Sequence, residues 1–95
     1  MILDFANAET AQIWAGHPPL RLPQELAHRA RKKLRLLDMA ADISELLDDA
    51  KNDVTVMRGR RSGQFSIRIA YRWRICFNWS DGDAHHVEIV DFDAE

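Results

Sequence analysis

Apolar residues change their spacing once along this chain. In the first half Leu22, Leu26, Ala30, Leu34 and Leu37 recur three or four positions apart, which places them on one stripe of a helix. Pro23 suits the first position of that helix, and its other face is strongly charged. A shorter helix is predicted over about 8–15, with Asn7 as its cap, ended by Gly16 and the loop "HPPLR", whose prolines forbid continuation. Asp42 and Glu45 have capping-box spacing and predict a third helix over about 43–50. Before all of these, Ile2, Leu3 and Phe5 around Asp4 predict a small strand over Met1–Phe5.

After "KNDV" the period becomes two. Phe65, Ile67 and Ile69 alternate with Ser66 and Arg68, and Trp73, Ile75, Phe77 and Trp79 alternate with Arg74, Cys76 and Asn78, so both runs read as strands with one buried face. A strand over about 54–57 precedes them and one over about 84–92 follows the turn "SDGD", whose Asp-Gly pair is a hairpin signal. The order strand, helices, consecutive strands predicts an α+β fold, with N-terminal helices on one face of a mainly antiparallel sheet. With 95 residues the chain has length for one core, and a single domain over 1–95 is expected.

Composition narrows the class. Hydrophobic residues at 46% and charged residues at 29% are ordinary for a folded globular protein and unlike a disordered chain. The one cysteine, Cys76, has no partner for an internal disulfide or a zinc motif. No apolar run approaches the ~20 residues of a membrane span, and "MILDFANAET" carries acids where a signal peptide has bases. A cytoplasmic protein without membrane attachment is the expectation. His85 and His86 are neighbours on a strand, so alternation sends them to opposite faces; His17 and His28 have no ligand spacing, and no metal site is inferred.

Charge is where the pattern becomes informative. The net charge is −2, yet Arg58, Arg60, Arg61, Arg68, Arg72 and Arg74 fall in 58–79 without one acidic residue. Alternation puts Arg68 and Arg74 on the sheet face away from the helices, and a loop relaxed by Gly59 and Gly63 carries Arg60 and Arg61. Such a face suits phosphate, because guanidinium makes bidentate contacts and does not titrate. It also suits cross-strand ion pairs with Asp91, Glu88 or Asp83, each worth about 0–1 kcal/mol when exposed. The second helix adds Arg29, Arg31, Lys32, Lys33 and Arg35, either as a solvated face or as further phosphate contacts.

The runs "MRGRRSGQFSIRI", "WRICFNW" and "DGDAHHVEIVDF", with "ARKKLRLLDMAADISELL" before them, resemble the HigB-type branch of the RelE-like toxins of bacterial toxin–antitoxin systems. The resemblance covers nearly the whole chain. It implies a toxin that enters the ribosomal A site and cleaves messenger RNA without metal or other cofactor. Attack of the ribose 2′-hydroxyl on the adjacent phosphate leaves a 2′,3′-cyclic phosphate. It also implies a helix-turn-helix antitoxin of the HigA type, with operator DNA reached only through the antitoxin complex.

By position, Arg74 matches the family's active-site arginine in the Trp-Arg-Ile strand and Arg61 the arginine of the glycine loop, while Arg58 stands where lysine is usual. The family's ending Asp-Tyr-His is replaced by Asp91, Phe92 and Asp93, and Thr55 stands where many members have histidine or glutamate. Asp93 is then the expected proton carrier and Phe92 a surface on which a base can stack. Arg60, Arg68, Arg29, Lys32 and Lys33 complete the expected RNA contacts. The rival expectation is a catalytically weakened toxin fold that pairs with an antitoxin and modulates its hold on the operator.

Overall fold

A computed structural model describes residues 1–17 and 21–93. The break expected at Pro18 and Pro19, and the acidic Glu95, lie outside the described residues. Among the described residues three α-helices precede the strands: α1 (Ala8–Trp14), α2 (Gln24–Met39) and α3 (Ile43–Leu47). The Asn7 side chain caps α1 by accepting from the Thr10 N–H at 2.9 Å. Pro23 stands one position earlier than expected, as the N-cap of α2 with φ −55°. The expected stripe is the buried one, with Ala30, Leu34 and Leu37 fully inaccessible and Leu22 and Leu26 nearly so.

The third helix is shorter than its predicted span. Leu47 is its last residue, and a separate 3-10 turn over Ala50–Asn52 follows. Its capping box forms as read: Asp42 Oδ1 accepts from the Ser44 N–H at 2.9 Å, and Glu45 Oε2 accepts from the Asp42 N–H at 3.0 Å. Asp42→Ala is expected to lower stability by about 1 kcal/mol, a drop of roughly 4–8 °C in Tm by calorimetry. An unchanged Tm would show that Leu46 packing alone holds the helix.

The sheet has four antiparallel strands in chain order: β1 (Thr55–Val56), β2 (Phe65–Ala70), β3 (Trp73–Ser80) and β4 (Asp83–Asp91). Ile67, Ile75 and Phe77 form its fully buried face against the helices. Thr10, itself buried, accepts from the Ile89 N–H at 3.0 Å and so ties α1 to β4. The Asp81-Gly82 turn joins β3 and β4 with both residues left-handed (φ 54° and 78°), as the dipeptide predicts. In the loop after α1, Arg21 makes a bidentate pair with Glu9; that hydrogen bond, then the carboxylate's charge, raises the Arg21 pKa.

Two expectations need correction. Met1–Phe5 does not form a continuous strand; Ile2 and Phe5 make isolated parallel bridges to Ala84 and Val87 of β4. Nor do His85 and His86 point apart. The β3–β4 register slips between Cys76 and Asn78, and His86 takes a left-handed φ of 52°, an extra residue that breaks simple alternation. Both Nδ1 atoms consequently turn to Asp4, at 3.0 Å for His86 and 3.9 Å for His85. The same bulge interrupts the pairing of the N-terminal segment.

Candidate nucleic-acid interface

The sheet face away from the helices is built from the alternate residues of β2, β3 and β4. Register sets Ser66 opposite Cys76, Arg68 opposite Arg74, Cys76 opposite Glu88 and Arg74 opposite Val90. Ser66 and Cys76 are fully buried, a floor of small side chains beneath the longer polar ones.

Two arginines directly across a strand pair repel each other, and the structure gives them different surroundings. Arg74 is only 16% exposed and lies over the floor. Its Nε donates to Ser66 Oγ at 2.7 Å and its Nη1 to Asp53 Oδ2 at 3.0 Å. Its Nη2 reaches the Asp53 carbonyl and Thr55 Oγ1. Arg68 is exposed. It makes no ion pair with another described residue.

The loop between β1 and β2 closes through a Met57 N–H to Gln64 carbonyl bond of 2.9 Å around a 3-10 turn over Gly59–Arg61. Gly59 and Gly63 are left-handed, at φ 67° and 94°. That conformation strains any residue with a Cβ, which is why the turn needs glycine. The turn folds Arg61 inward, where Nη1 lies 3.2 Å from both Glu88 Oε1 and Gln64 Oε1, and Gln64 passes the chain on to Asn78. Arg58 and Arg60 stay exposed, without an ion pair to a described residue.

The acids named from sequence as possible partners are used differently. Glu88 serves Arg61, Asp91 serves Arg72 at 2.8 Å, and Asp83 serves the N-terminal ammonium at 3.3 Å. The partner of Arg74 is Asp53, which sequence reasoning did not single out. Its one local signal is the loop "KND" before β1; the pairing itself joins residues 21 apart. Asp93 is 73% exposed and lies toward Arg72, 3.6 Å away, at the β2–β3 turn. Phe92 is half-buried, and its N–H donates to the Arg72 carbonyl.

The basic residues of α2 are not brought to this face, because the sheet lies between. Arg29 pairs with Glu25 one turn earlier. Lys33 donates to Asn52 Oδ1 at 2.7 Å, and Asn52, almost fully buried, donates on to the Leu46 carbonyl. Lys32 is exposed on the helix layer. Among the described residues no group of three or more His, Cys, Asp or Glu is placed to hold a metal ion.

The model of one protein family, described as the RelE-like toxin of the type II toxin–antitoxin system HigB, matches residues 2–92. The chain belongs to the HigB-like toxin family. It is 30% identical to the endoribonuclease HigB of Proteus vulgaris over 92 residues, 97% of this chain and 99% of that protein. With the toxin HigB-1 of Vibrio cholerae serotype O1 it shares 31% identity over 85 residues, 88% and 90% of the two. A HigB-like toxin of a type II system has an antitoxin for a partner. Among its described residues no helix is long and apolar enough to cross a membrane.

Proposed function

We propose that this HigB-like chain acts as a single domain and is a cytoplasmic, ribosome-dependent mRNA endonuclease. A HigA-type helix-turn-helix antitoxin holds it inactive, and operator DNA is met only through that complex. The carrying observation is the sheet face on which two arginines are fixed by carboxylates and three others are left exposed. The relative named as an endoribonuclease supports the same reading.

In this reading the exposed Arg58, Arg60 and Arg68 draw the RNA backbone onto the face. The RNA phosphate replaces Asp53, itself 57% exposed, at the Arg74 fork. Exchanging one anion for another at a half-exposed pair is cheap, since such pairs are worth about 0–1 kcal/mol. The 2′-oxygen then attacks phosphorus and loses its proton, the bond to the 5′-oxygen breaks, and that oxygen takes up a proton. Arg74 and Arg61 stabilise the charge that develops on the phosphorane.

The imidazole on this face, His85, sits opposite Asn78 with its Nε2 3.2 Å from Ser80 Oγ. Asn78 is four residues along β3 from Arg74, roughly 13 Å at about 3.3 Å per residue, so the nearer proton carrier is a carboxylate. Asp53 touches Arg74 itself, whereas Asp93 is drawn to Arg72; proximity favours Asp53. The test is inducible expression of the intact chain, with mRNA 5′ ends mapped on translating ribosomes. New ends within A-site codons are expected. Asp53→Asn should slow cleavage by about 10²-fold or more, and Asp93→Asn should leave it near the parent rate. The reverse order would return the proton role to Asp93.

One observation favours a second reading. With Phe92 and Asp93 in place of the family's Tyr-His, the chain is a toxin fold that binds its antitoxin without cutting RNA. A soluble, folded chain that yields no new 5′ ends yet captures its antitoxin selects that alternative.

A further inference from the structure

Four residues other than glycine adopt a left-handed φ among the described residues: Asp53, Tyr71, Asp81 and His86. Aspartate and histidine accept that conformation comparatively well, but a bulky aromatic there is an outlier. Tyr71, at φ 52°, occupies the tip of the β2–β3 hairpin and is 84% exposed. The core gains almost nothing from its ring, so neither local backbone preference nor burial accounts for an aromatic here.

Beside the ring is an open cleft of about 290 Å³ between the start of α2 and the hairpin. Leu26 and Trp73 supply apolar walls, and Arg29 and Arg72 stand among its lining residues. Its volume is at the lower limit for small-molecule sites, roughly 300–1,000 Å³, which suits one planar group better than a whole cofactor. Among the described residues Arg29 is held by Glu25 in an exposed pair one helical turn apart, an interaction of about 0.3–0.5 kcal/mol that a phosphate can displace.

We infer that Tyr71 and this cleft form a subsite for an unstacked base of single-stranded RNA, with Arg29 reaching its phosphate. The inference rests on the RNA-cleaving reading above and extends its binding surface around the hairpin tip. RNA is favoured over a peptide because the same hairpin carries Arg68 and Arg74 three residues either side of Tyr71. At about 3.3 Å per residue they lie roughly 10 Å away, a distance that a short extended piece of single strand spans. Arg29, separated by the sheet from the main face, thereby acquires a contact of its own.

The backbone makes the test clean. Tyr71→Asn supplies a residue that tolerates the left-handed conformation, so Tm should hold or rise, while loss of the stacking ring should weaken binding of a short fluorescent single-stranded RNA about tenfold. Tyr71→Phe should bind as the parent chain does. On ribosomes, Tyr71→Asn should raise KM and leave kcat unchanged.

The outcomes separate the two claims. Parent-like RNA affinity and KM in a folded Tyr71→Asn chain overturn the subsite even if the parent cleaves. Tyr71-dependent RNA binding without any cleavage supports the subsite and overturns the endonuclease reading. An antitoxin affinity that falls while RNA affinity does not would make the cleft a protein-docking site and reject the inference. No RNA binding by the parent chain rejects it as well.

Discussion

Arg74→Ala is expected to lower the rate of ribosome-dependent cleavage by about 10²–10³-fold, the usual effect of removing a donor aimed at developing charge. Its effect on kcat should exceed its effect on KM, since Arg58, Arg60 and Arg68 remain to hold RNA. The substitution also has a structural consequence. Ser66 is fully buried and its hydroxyl receives the Arg74 Nε–H; losing a partner for a buried polar group costs about 1–3 kcal/mol. A fall in activity alone is therefore ambiguous.

The double variant Ser66→Ala, Arg74→Ala removes the hydroxyl along with its donor. It should recover part of the lost Tm and none of the lost rate. Arg74→Lys keeps the charge, but an ammonium lacks the fork that meets Ser66 and Asp53 together, and little activity should return. Single-turnover cleavage on programmed ribosomes, measured beside thermal unfolding, reads both effects. A folded Arg74→Ala chain that cuts at the parent rate would remove Arg74 from the chemistry.

Phe77→Ala is the largest stability effect expected. Phe77 is fully buried on the helix-facing side of β3, with its ring 6.1 Å from Phe65 and 6.4 Å from Trp79. Truncating a buried phenylalanine costs about 3–5 kcal/mol, against a total of about 5–15 kcal/mol for a domain. Tm should fall by at least roughly 12 °C. Because Phe77 belongs to the strand that carries Arg74 on its other face, growth arrest should weaken as temperature rises, and Phe77→Leu should show a milder form of both effects. A change of only a few degrees would mean that the core closes without this ring.

Much of the architecture was legible because it follows from neighbours in the chain. The stripe from Leu22 to Leu37, the Asp42–Glu45 box, the alternation in β2 and β3, and the Asp-Gly turn each depend on residues within a turn or a strand. Such local preferences appear directly as spacing. The family resemblance was equally readable, resting on the same strands and the glycine loop.

Other features came from contacts between distant residues. Nothing in the spacing distinguishes Arg74, folded over Ser66 and held by Asp53, from Arg68, exposed directly opposite it. The slip in β4 that turns both histidines to Asp4, 82 positions away from His86, depends on register. Lys33 looks like any basic helical residue until Asn52 is packed beside it.

The sequence by itself determined which residues make helices, which make strands, and that the arginines leave the core, because those outcomes depend on backbone preference and the side-chain period. Only the tertiary structure decided which arginines are locked by carboxylates and which remain for a partner. That choice is made by strand register and the approach of distant loops, where a few ångströms separate an ion pair from an exposed charge.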